Sequence, residues 1–182
     1  MRAFLLLHCG PRHGPRSFWL HADRPLVEPD GTSPVLHELT HATTRLRAQP
    51  GSDWIVEGIA EFYSLELRRR SGAIGEKRHA RIVAHLERRA HGVRSLRTSR
   101  SSGARTAAAV LLLQRLDREI RARSAGSNDI DDVTARLVAL GVVSTADLDA
   151  IAAELLGAPA QALATPLLAT SERGAVLATA AP

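Results

Sequence analysis

Two histidines, His37 and His41, close the run His-Glu-Leu-Thr-His. On a helix, positions i and i+4 share one face, a single turn apart. Two imidazoles placed in that way can both reach one zinc ion, at about 2.0–2.1 Å each. The intervening Glu38 is rotated off that face but can reach a water held by the metal. A carboxylate there serves first as general base toward the water and then as proton donor to a leaving amine. Without a further ligand, the pair is equally readable as two unrelated histidines on an amphipathic helix.

A catalytic zinc site needs a third protein ligand and one open position. The segment Trp54-Ile-Val-Glu57-Gly-Ile-Ala-Glu61-Phe-Tyr63 offers it. Two antiparallel helices joined by a short turn would bring Glu57 back toward His41, and Gly58 would let the helices approach closely. Glu61 lies one turn beyond Glu57 on the same face. It could accept the second ring N–H of a ligating histidine and fix its tautomer, or stand as an ordinary solvated carboxylate.

His37-Glu-Leu-Thr-His41, fifteen residues, then Glu57-Gly-Ile-Ala-Glu-Phe-Tyr63 resembles the signature of the gluzincin zinc metallopeptidases. It is similar to aminopeptidase N-like enzymes and to the glycyl aminopeptidase family. The resemblance covers residues 35–63 and is weaker over Leu116–Arg121 and 143–163. It implies a zinc cofactor held by His37, His41 and Glu57, with Glu38 as the catalytic carboxylate. It also implies peptide-bond hydrolysis and a helical subdomain packed behind the site. Those families place a tyrosine shortly before the Leu-Asp helix to stabilise the oxyanion. Here the single tyrosine is Tyr63, and the corresponding region offers Arg100 and Arg105 instead. The alternative expectation is a weak or inactive zinc-bound scaffold that binds a protein partner.

The elements that must position these residues are mostly helices. Thr32 or Ser33 before Pro34 reads as a helix start, with the helix running to about Arg47 and stopping before Pro50-Gly51. Leu36, Leu39, Thr43 and Leu46 form its apolar stripe. A second helix runs from Ser52 or Asp53 to about Arg70, burying Ile55, Ile59, Phe62 and Leu65. A basic helix is expected over 75–91, a Ser/Arg/Gly-rich loop over 92–104 and an apolar helix over 105–123. Two more helices run from Asp129 to Gly141 and from Ser144 to Gly157. Residues 3–7 and 17–21 read as short strands. The expected fold is therefore mainly α, a zincin-like helical catalytic domain with a small N-terminal β element. Residues 1–72 would form the metal-binding subdomain, 73–165 a helical subdomain and 166–182 a loose tail.

Composition sets the limits. Hydrophobic residues make up 45% of the 182, enough for a folded core, while aromatics are only 3%, so Ala, Leu, Val and Ile must fill it. The single cysteine, Cys9, excludes an internal disulfide and a cysteine-rich zinc site. No apolar run approaches the length of a membrane span, and none reads as a signal peptide, so a cytoplasmic chain is expected unless it is a fragment of an exported one. Twelve Lys or Arg lie between 68 and 105, against Glu76 and Glu87 alone. That block reads as a solvated basic face. Nucleic acid is an unfavoured partner, because no recognised motif or stacking aromatic accompanies the charge. A peptide or protein substrate is the expected partner.

Overall fold

A computed structural model describes residues 26–28, 31–98, 101 and 103–169. The expected strands at 3–7 and 17–21, Cys9, Arg100 and residues 170–182 lie outside the described residues.

The described chain is mainly helical. The order is α1 (Pro34–Thr44), β1 (Arg47–Ala48), α2 (Asp53–Arg70), α3 (Glu76–Ala90), α4 (Ala104–Arg123), α5 (Ile130–Leu140), β2 (Val142–Val143) and α6 (Thr145–Leu156). Two short 3-10 turns follow, Gln161–Leu163 and Pro166–Leu168. No described helix is long and apolar enough to cross a membrane.

Local chemistry explains most of the boundaries. The Ser33 side chain accepts the Leu36 N–H, and Pro34 occupies the first turn, where its missing N–H costs nothing. α1 stops three residues earlier than the pattern predicts. Arg45 turns left-handed at φ 53°, its N–H returns to the His41 carbonyl, and the chain leaves as β1. β1 pairs in parallel with β2, Arg47 opposite Val142 and Ala48 opposite Val143. Two residues per strand carry too little pattern to announce themselves. α5 and α6 each begin with a reciprocal capping box, Asp129 with Asp132 and Ser144 with Asp147.

α2 is the central helix. Trp54, Ile55, Val56, Ile59, Ala60, Phe62 and Leu65 are all buried. One hydrophobic cluster joins α2 to Leu112, Leu113 and Leu116 of α4, Val133 and Leu137 of α5, and Leu148 and Ala152 of α6. A second cluster seats α3, through Ile82 and Leu86, on Leu65, Val110 and Leu111. Leu96, fully buried, donates its N–H to the Leu167 carbonyl at 2.9 Å, so the Pro166–Leu168 turn also packs on the core.

Two expectations about the helix pair need correction. The stripe Leu36–Leu39–Thr43–Leu46 is not the face α1 buries: Leu39 is 37% exposed and Thr43 is exposed, while Leu46 is buried but lies beyond the end of α1. The face against α2 carries His37 and His41, because their rings point at α2 carboxylates. Gly58 serves a different contact from the one expected. A Cβ added there would lie 2.9 Å from Ala109 Cβ and 3.3 Å from Leu113 Cδ1, so it permits the approach of α4. Gly58→Ala should therefore destabilise the fold by about 1–2 kcal/mol, overpacking outweighing the gain in helix propensity. That is a fall in Tm of roughly 2–8 °C. A melt at or above the wild-type temperature would contradict the assignment.

Candidate metal centre

His37 and His41 stand one turn apart on α1, and Glu57 and Glu61 one turn apart on α2. His37 meets Glu61 and Glu57, whereas His41 meets Glu57, so the helices run antiparallel with the histidine pair facing the carboxylate pair. The residues of both sequence motifs meet at one place.

His37 Nε2 and His41 Nε2 are 3.0 Å apart. Glu57 Oε2 lies 3.4 Å from the first nitrogen, and Glu57 Oε1 3.6 Å from the second. Ligands at about 2.0–2.1 Å on tetrahedral corners are about 3.3–3.4 Å from one another. The three observed separations bracket that edge length, so these side chains can hold a metal ion with little movement. Among the described residues, this is the group of His, Cys, Asp and Glu side chains with that capacity.

The surroundings fix the ligand atoms. His37 Nδ1–H donates to Glu61 Oε2 at 2.9 Å, which leaves Nε2 turned toward the shared point. Ser64, fully buried, donates its hydroxyl to the Glu61 carbonyl at 2.9 Å and lies 3.5 Å from Oε2. Carboxylate partners of this kind typically contribute 10- to 100-fold in metal affinity. Glu61→Gln should accordingly weaken metal binding by about that factor, measured by competition with a chelator. Affinity equal to wild type would remove Glu61 from this role.

Without a metal, a proton takes the ion's place. Burial pulls the His37 pKa down, but hydrogen bonds to Glu57 and Glu61 outweigh it and raise it to about 9. Burial and the neighbouring His37 charge hold His41 below its ordinary value. The hydrogen bond from His37 keeps Glu57 below the usual carboxylate range, although burial works the other way. The His37 ring lies between two carboxylates that favour its proton, and its charge disfavours a second proton on His41.

Glu38 is partly buried on α1, close enough for its charge to act on the His41 ring. The single tyrosine is engaged elsewhere. Tyr63 O–H donates to Asp131 Oδ1 at 2.7 Å and lies 3.3 Å from Thr134 Oγ1, both on α5. Arg105 sits in the first turn of α4, and among the described residues no hydrogen bond or ion pair joins it to the three ligands. Of the other histidines, His79 and His85 lie on α3 and His91 caps it, away from this cluster.

The sequence reads Ser52 or Asp53 as a helix cap, and the cap is Ser52; it gives neither Asp53 nor Ser64 a part in this cluster. A signal existed for Asp53: it stands four residues before Glu57, as Glu61 stands four after, so the three acids share a helix face. Ser64 carried none, since a serine inside a helix has no distinguishing spacing.

Comparison of the chain with family models, with curated proteins and with solved structures finds no match.

Proposed function

We propose that this chain is a zinc-dependent metallopeptidase of gluzincin type, with a zincin-like pairing of α1 and α2 around the metal. One observation carries the reading: two imidazole nitrogens and a carboxylate converge at tetrahedral-edge distances, with Glu61 already on the far nitrogen of one imidazole. Among divalent first-row metals, a His-His-Glu set with room for solvent suits zinc.

His37, His41 and Glu57 hold the ion. When bound, zinc supplies a Lewis acid for a carbonyl and a water whose pKa is lowered to roughly 7. Glu38, on the ligand helix but outside the ligand set, takes up the water's proton and passes it to the departing amine. Glu61 keeps His37 in the tautomer that leaves Nε2 free. Glu57, 33% exposed in its side chain against 17% for His37, marks the side open to solvent and to an extended peptide.

A second reading keeps the metal and drops the reaction. Its motive is that Tyr63 is committed to Asp131 and Thr134, and among the described residues no hydrogen bond or ion pair joins Arg105 to His37, His41 or Glu57. Loss of one such donor costs about 100- to 1,000-fold, which leaves a slow enzyme measurable. A peptide-library digest with and without chelator separates the two. Chelator-sensitive cleavage supports the peptidase, and retained zinc with no cleavage supports the scaffold.

A further inference from the structure

Asp53, Glu57 and Glu61 recur every four residues, so they form a column on one face of α2. The antiparallel run of α1 sets that column against the two histidines. Glu61 accepts from His37, and Glu57 lies between both rings. Asp53 is the next carboxylate on the His41 side, near enough for its charge to act on that ring.

Asp53 also engages a distant part of the chain. The Ser101 N–H donates to Asp53 Oδ2 at 2.5 Å. The Ser101 hydroxyl lies 3.2 Å from Thr106 Oγ1 in the first turn of α4. Upstream, Leu96 is anchored by burial and by its bond to Leu167. Leu96 is therefore fastened to the core, and Ser101 to the helix that carries Glu57. An acid in the first turn of a helix is ordinarily explained by the helix dipole. The dipole requires neither a bond to a residue 48 positions away nor a place in the carboxylate column.

We infer that Asp53 is a positioning residue of the metal centre: it supports the His41 side and holds the Ser101 amide to it, so that metal loading and the Asp53–Ser101 bond are coupled. The inference rests on the metal-centre reading above, and not on hydrolysis. A fixed carboxylate beside His41 favours the positive charge a divalent ion brings. Coupling of binding free energies is reciprocal, so metal binding must in turn favour the Asp53–Ser101 bond.

The test uses the full chain with zinc as the probe. Asp53→Asn should bind zinc about tenfold more weakly in chelator competition, the lower end of the range for supporting carboxylates. In wild type, adding zinc should slow hydrogen exchange at the Ser101 amide, and this gain should vanish in Asp53→Asn. Glu119→Gln controls for general loosening, because that carboxylate instead accepts the N–H groups of Gln161 and Ala162. It should leave zinc affinity unchanged. The exchange measurement on wild type needs no variant, so a poorly folding Asp53→Asn does not shield the idea. Zinc-binding wild type whose Ser101 exchange ignores zinc, or an Asp53→Asn chain that binds as tightly as wild type, would overturn the role of Asp53 alone. A wild-type chain that binds no zinc would overturn the metal centre itself.

Discussion

Glu38→Gln should keep its zinc and lose hydrolysis by about 100- to 10,000-fold, the range over which a positioned proton-transfer group contributes. The amide has nearly the shape of the carboxylate but cannot take up a proton. Glu38 stands outside the ligand set, so the cradle of His37, His41 and Glu57 survives the change. The effect should fall on kcat with KM little altered, because proton transfer belongs to the transition state and not to substrate binding. Metal content and peptide cleavage measured on one preparation check both halves. A variant that cleaves as fast as wild type would leave Glu38 without the role.

Zinc affinity should rise about tenfold per pH unit through the neutral range and level off near pH 9, roughly 500-fold between pH 6 and pH 9. In the metal-free chain His37 holds a proton up to about pH 9, because Glu57 and Glu61 outweigh the effect of its burial. A metal must displace that proton, and raising the pH removes the competitor. His41 and Glu57 are both held below their ordinary values, so each gives up its proton before His37 does as the pH rises. Stability follows with a definite sign. The folded pKa of His37 lies above its ordinary 6.5, so the stabilisation from its ion pairs is complete below about pH 6.5. It is lost as the pH rises through about 9. The metal-free chain should therefore melt at lower temperature between pH 7 and pH 9. The increase in Tm on adding zinc should widen over the same interval. Chelator competition at several pH values, with paired melts, checks the slope. A flat affinity profile would mean that no proton is displaced from His37.

The helical order was legible because capping residues and breakers bound nearly every element. Asp129 with Gly141 and Ser144 with Gly157 bracket α5 and α6 to the residue. The grouping of His37, His41 and Glu57 was legible because metal binding demands such residue types at fixed helical spacings, and spacing survives in a bare sequence. The facing of α1 was misread. An apolar stripe normally marks the buried side, but here polar ligand side chains turn inward and leave Leu39 outside. The purpose of Gly58 was half legible: a close approach could be expected, but which helix approaches depends on packing over 50 residues away in sequence. Contacts such as Asp53 with Ser101 or Tyr63 with Asp131 join residues 48 and 68 positions apart, and no local pattern announces them. The β1–β2 pair was invisible for the same reason.

The most direct test is metal analysis of the purified full chain beside its Glu57→Ala variant, after dialysis against a weak chelator. Wild type should retain one zinc per molecule and the variant should retain none while keeping its helical content. A folded wild type that emerges free of zinc, or a Glu57→Ala chain that keeps as much as wild type, would show that the two imidazoles and the carboxylate do not form the site.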